Sequence, residues 1–424
     1  MWRGMNQQVL ALLNAPPASV DEASAIQIFT LEGLAHTRLH DFKEAEQRLR
    51  RADEMCMRSR EASCGAVIRA RGVLALEQDQ SVLAQHYFQE TLAFARRSGD
   101  QFLESTALLN LSAVALKQAR FDEAIDFSES ARRLSVSLGA GYVAQVALGN
   151  LGWVYYKLGD SERALDSFLQ AEKRAAQVGA IYSQIAWVTT AGYVYLDRRE
   201  YSTAEGSYLR ALALAQKIDS KEDIVNALMS LALVSEQMGK LQEANQYADR
   251  TMSMARADGN RLDELYPLLV KGEVAVRLRD PAQAERAFLE VAGDPKSDVS
   301  LKWEAEHQLA RLYEAQNQGD SAAREYRAAL NTFETARSSL QHEESELPFL
   351  TNASHIYDDY VHFLVAQGKF AEALQVADFT RARTLAEGLG LLRKGAAQVP
   401  SALNPQAVAR RAGGTILFYW LGEK

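Results

Sequence analysis

Apolar positions along this chain recur at helical spacing, and Asn150–Ala171, NLGWVYYKLGDSERALDSFLQA, states the pattern in one place. Leu148, Leu151 and Tyr155 gather around Gly152 on one side of a helix at 3.6 residues per turn. Gly159-Asp160 marks a turn, after which Ala164, Phe168 and Ala171, at i, i+4 and i+7, form the buried stripe of a second helix. The pattern predicts a helical hairpin. Gly152 and Ala164 are small because the two helix backbones must approach closely there.

The same pattern returns every forty residues. The place of Gly152 is filled by Gly72, Ser112, Gly192, Ala232 and Gly272, and that of Ala164 by Ala84, Ala124, Ala204, Ala244 and Ala284. Gly99, Gly139, Gly179 and Gly259 keep the interval in the loops, with Asp219 between them, at positions where the chain leaves a helix in the left-handed conformation. Gly33 with Ala45 opens the series slightly off the interval. Ala310, Ala322 and Tyr326 continue it, and Gly368, Phe370, Ala373 and Ala377 repeat the turn and second helix with a stretched spacing. Eight hairpins follow, with first helices near Ala23–Leu39, Ala62–Gln78, Phe102–Lys117, Tyr142–Leu158, Tyr182–Asp197, Glu222–Met238, Leu262–Leu278 and Leu301–Gln316, and the stretched unit makes about nine.

The ends of the chain depart from the interval. Met1 to Asn14 reads as a lone helix stopped by Ala15-Pro16-Pro17. Residues 323–368 read as elongated helices, continuing through TFETARSSLQHEESEL, breaking near Pro348 and resuming through HIYDDYVHFLVAQ. The helical array is expected over 1–394 and a Gly-, Pro- and Ala-rich linker over 395–414. Residues 415–424, TILFYWLGEK, form a β-branched and aromatic run that reads as a strand with no upstream partner.

Composition narrows the function. A net charge of −8 and a pI of about 5.6 argue against a nucleic-acid groove, which needs a basic stripe to displace counterions. No apolar run approaches the roughly eighteen residues that cross a bilayer, and MWRGMNQQVLALL lacks a small-residue cleavage site, so a cytoplasmic location is expected. No cofactor or metal is expected either. Cys56 and Cys64 fall on the second helix of one hairpin and the first of the next, with no glycine-rich turn to present a nucleophile. They read as small packing residues, a disulfide being the lesser alternative and catalysis the least supported. His36 and His40 have metal-gripping i, i+4 spacing but no Glu after the first, and read as surface or groove residues. His355 and His362 beside Asp358 and Asp359, and the group Glu343, Glu344 and Glu346, read as ordinary charge on a solvated face.

The L-G-x2-Y and A-x3-F signature at Leu151–Tyr155 and Ala164–Phe168 resembles the tetratricopeptide repeat family, with a forty-residue repeat in place of about 34. The resemblance implies an all-α, right-handed superhelical solenoid of about nine hairpins, with one short C-terminal strand. The ending resembles CHAT proteins, in which such repeats precede a caspase-like peptidase domain. ELPFLTNASHIYDDYVHFL, ADFTRARTLAEGL and TILFYWLGE match that junction in order, so the His and Cys that CHAT proteins use in catalysis are expected beyond Lys424.

A stacked array offers a groove lined by first helices, on the face about 100° from the small position. There lie Asn110, Ala113 and Lys117, then Asn150, Trp153, Tyr156 and Lys157, then Thr190, Tyr193 and Asp197, then Asn226 and Ser230. Asn amides can hold an extended peptide backbone, the lysines a carboxylate, and Trp153 and Tyr193 apolar side chains, unless the aromatics simply pack between hairpins. Thr190 and Asp197 stand where a carboxylate clamp would want another base. The expected role is a non-catalytic scaffold that binds a protein or peptide in the groove and positions or regulates a CHAT-like domain. The alternatives are a peptide-responsive regulatory sensor and part of a cysteine peptidase whose catalytic residues lie beyond residue 424.

Overall fold

Two seventeen-residue helices and two three-residue turns produce the forty-residue interval, as in α6 (Gln101–Lys117), α7 (Phe121–Ser137), α8 (Gly141–Lys157) and α9 (Ser161–Gln177). The computed structural model of the chain describes residues 3–13, 21–59, 63–338, 343–377 and 410–411. By internal contacts it divides into two units, Met1–Ala227 and Leu228–Lys424.

In the first unit α1 (Arg3–Leu13) precedes α2 (Glu22–Arg38), α3 (Phe42–Ser59), α4 (Cys64–Glu77) and α5 (Ser81–Ser98). After α6 to α9 come α10 (Ile181–Asp197), α11 (Tyr201–Lys217) and the start of α12 (Lys221–Gln237), within which the division falls. Each first helix packs on its own partner, and α2 packs on α4, α4 on α6 and α6 on α8, so these four form an inner row. The turns are closed by backbone bonds: between α8 and α9, Leu158 N–H donates to Val154 (3.0 Å), Gly159 to Tyr156 (3.0 Å) and Asp160 to Tyr155 (2.9 Å). Gly159 takes φ +78°, and Ala119 and Arg199 take 53° and 59° at the same place in neighbouring repeats, so the turn imposes the conformation with or without glycine. Asp160 then caps α9 by accepting from Arg163 N–H at 3.0 Å.

The small positions answer to residues on the second helix of the same hairpin. Gly72 lies under the ring of Phe88, Gly152 under Phe168 and Gly192 under Tyr208, and all three rings are wholly buried. In the third hairpin the same two places hold Ser112 and Ser128, whose hydroxyls bond at 2.5 Å. Each buried Phe contributes about 1.5–3 kcal/mol relative to exposure.

The second unit continues with α13 (Leu241–Asp258), α14 (Arg261–Arg277), α15 (Pro281–Gly293), α16 (Val299–Ala315), α17 (Gly319–Ser338), α18 (Glu343–Ala366) and α19 over 370–377. Its main core joins Phe288, Trp303, Tyr326, Phe333, Tyr357 and Phe363 from α15 to α18. The elongated helices are present, twenty residues in α17 and twenty-four in α18, but the break expected near Pro348 is absent because α18 runs through it. Proline removes one backbone donor, and the later turns of α18 bury Ile356, Tyr360, Phe363 and Leu364, which outweighs that loss.

The cysteines also differ from their expected role as separate packing residues. Cys56 on α3 and Cys64 at the start of α4 are joined by a disulfide, with Cα atoms 5.6 Å apart across a separation of eight residues. The last turns of α3 and the start of α4 thus lie within bonding range of each other. Of the expected linker only Arg410 and Arg411 are described, and the expected strand over 415–424 lies outside the described residues. No helix among the described residues is long and apolar enough to cross a membrane.

Candidate functional site

The inner row of the first unit encloses a cavity of about 620 Å³ between α2, α4, α6 and α8. Its walls are largely apolar, with Val73, Leu76, Leu109 and Val146, and the half-exposed rings of Phe102 and Tyr142 stand at its edge. Asn110 and Asn150 both line it. The Asn150 amide donates to Ser112 Oγ at 3.2 Å, which fixes its orientation and leaves its carbonyl oxygen for other contacts. The Asn110 amide nitrogen is buried and has no hydrogen-bond partner among the described residues. A buried donor in that state carries a desolvation cost of about 1–3 kcal/mol that a ligand acceptor would remove.

Two cations face the same space. Arg38 is already paired with Glu77 at 2.5 Å. Arg69 has no carboxylate partner among the described residues, and burial, helped by the charge of Arg38, lowers its pKa from the usual guanidinium value. A guanidinium stays charged in proteins, so this cost is borne by a site that favours an anion. Sequence reasoning missed Arg69. It lies three residues before Gly72, on the near edge of the inner face, and the signal was its charge in a helix where Arg71 is the one other cation. Arg71 is ion-paired with Asp53.

The other expected groove residues divide. Lys117 is paired with Asp79 at 2.6 Å, and Lys157 is exposed at the end of α8. Trp153 packs edge-on against Phe168 at 5.5 Å and Tyr156 at 5.8 Å, the packing role rather than an open contact surface. The Tyr156 hydroxyl donates to Asp197 on α10, and burial first, then that carboxylate, push its pKa up. Thr190 is buried and donates to its own helix at Ala186 O, 2.9 Å. Tyr193 is 40% exposed with its ring 5.8 Å from that of Tyr208. Asn226 is exposed and Ser230 buried on α12. Of the ten residues expected in the groove, the cavity brings together Asn110 and Asn150. His36 bonds Asp41 at 3.1 Å instead of sharing a ligand with His40.

Residues 103–177, from α6 to the end of α9, match the tetratricopeptide repeat family. No curated protein sequence matches the chain. Among solved structures it is similar to the apo form of RapI (TM-score 0.65, 11% identity, 86% of this chain and 99% of that one). It is also similar to the apo form of the quorum sensor NprR from B. thuringiensis (0.56, 16%, 77% and 91%). A third similar structure is a signal-transduction ATPase with a tetratricopeptide repeat sensor, from Pyrococcus horikoshii (0.57, 14%, 76% and 52%). At these identities the likeness is one of fold.

Proposed function

We propose that this array of tetratricopeptide-type hairpins is a non-catalytic recognition module whose first unit binds a peptide segment bearing a carboxylate. The observation that carries the proposal is Arg69, half-buried and without a carboxylate partner among the described residues, lining the same largely apolar cavity as the unsatisfied amide of Asn110. Asn110 and Asn150 would hold the peptide backbone, Arg69 its carboxylate, and Phe102 with Tyr142 an apolar side chain. Lys117, Trp153, Tyr156, Lys157, Thr190, Tyr193, Asn226 and Ser230 are left outside this core.

Selection of a displayed random-peptide library on the purified chain tests it. Enriched peptides should share an acidic side chain or free C-terminus and should not be retained by Arg69→Ala. Peptides retained equally by that variant would remove the cavity from the reading.

Two finer roles fit such a module. The resemblance of ELPFLTNASHIYDDYVHFL and ADFTRARTLAEGL to the CHAT junction supports a scaffold that positions or restrains a peptidase-like domain. The likeness in fold to a quorum sensor, and to a Rap protein complexed with competence and sporulation factor (TM-score 0.50, 16% identity, 78% of this chain and 91% of that one), supports a peptide-responsive sensor. Proteolysis assays of the full-length gene product with and without a selected peptide separate them. A peptide-dependent change in cleavage favours the scaffold.

A further inference from the structure

We infer that the second unit carries a divalent transition-metal site, of the zinc class, built by Glu304 and His307 of α16 and His355 of α18. Glu304 and His307 are three residues apart and so share a helix face. His355 reaches them from the neighbouring helix. Its Nε2 lies 3.3 Å from one Glu304 oxygen, the other Glu304 oxygen lies 3.8 Å from His307 Nδ1, and all three ligand atoms fall within 4.8 Å of one another. A zinc ion with bonds of about 2.0–2.2 Å separates its tetrahedral ligands by about 3.4 Å, so small side-chain rotations close this set around one ion.

A second observation points to the ligand. His307 is 1% exposed, and its Nδ1 is buried without a hydrogen-bond partner among the described residues. Its other nitrogen, Nε2, meets Asp359 Oδ2 at 3.0 Å. With Nε2–H donating to that carboxylate, Nδ1 presents a lone pair toward Glu304, an arrangement that a cation between them satisfies. Carboxylate, imidazole and metal in line is the way proteins fix the tautomer and raise the basicity of a ligating histidine. Gln308 donates to Glu304 at 2.8 Å and Arg311 lies 3.5 Å from Asp359, so both carboxylates are held in place. Two nitrogens and one oxygen suit zinc better than calcium or magnesium, and the exposed side of His355 leaves the fourth position to water. Such an ion would tie α18 to α16.

The test uses the full 424-residue chain, stripped with chelator and titrated with zinc by calorimetry and by thermal melting. One equivalent should bind and raise the melting temperature, and cobalt should give the visible absorption of a tetrahedral site. His355→Ala, at an exposed position that leaves the fold intact, should abolish the melting shift. Asp359→Asn, which acts on His307 and not on the ion, should keep the stoichiometry and weaken affinity about 10–100-fold. Failure of the wild-type chain to bind one equivalent would overturn the site and leave His307 as an imidazolium between two carboxylates. Binding unchanged by His355→Ala would equally overturn it.

Discussion

The ring of Phe168 occupies the space that a side chain at Gly152 would need: a Cβ at that position would lie 2.6 Å from the ring's Cε1. Phe168 is wholly buried, so the ring has nowhere to retreat. Gly152→Leu should therefore overpack the fourth hairpin and cost about 1–3 kcal/mol, with neighbouring hairpins affected through shared interfaces. Urea denaturation reads the change, and an unaltered midpoint would refute the packing.

Gly206 should respond with the opposite sign. It lies inside α11 with nothing within 4 Å of the place its Cβ would take. Gly206→Ala should raise stability by up to about 1 kcal/mol through helix propensity alone. A thermal melt that fell below wild type would show an undetected contact on that face.

Asp298 gives the fold an acid-sensitive cap. Burial works to raise its pKa, but bonds from Ser300, from Tyr266 on α14 and from the backbone of Leu301 at 2.8 Å hold it below the usual 3.8. A depressed folded-state pKa contributes stability that is present above 3.8 and lost as pH falls through the lower folded value. Asp298→Ala should cost about 1 kcal/mol at neutral pH and progressively less below pH 3.8. Melting curves of both proteins across that range check the convergence.

The repeat was legible in the sequence because its demands are local. A small residue at each crossing, a left-handed turn residue and a period of forty can be read from spacing alone, and the first helices lie within a residue or two of where the pattern puts them. What small residues make room for was less visible: at Gly152 it is a ring on the partner helix rather than that helix's backbone. Pro348 misled because propensity ignores the burial of residues that follow it. The pairing of Cys56 with Cys64 depends on how closely the end of α3 and the start of α4 approach, which spacing alone does not carry. In the groove, spacing found Asn110 and Asn150 but could not tell that Lys117 is taken by Asp79 or that Arg69 is left over. His307 meets His355 across forty-seven intervening residues, a proximity that no linear pattern carries.

Binding in the first unit should depend on Arg69 and the two cavity amides and not on polar groups outside the cavity. Thr190→Ala serves as the comparison, since its hydroxyl is spent on Ala186 O. This variant should bind a selected peptide as wild type does.

The most direct measurement is the affinity, by titration calorimetry, of one library-selected acidic peptide for wild type and for Asn110→Ala/Asn150→Ala, with helicity checked by circular dichroism. Loss of two amide contacts in a buried cavity should weaken binding about tenfold or more while helicity stays the same. Equal affinity in the two proteins would contradict the assignment of the cavity between α2, α4, α6 and α8 as the binding site.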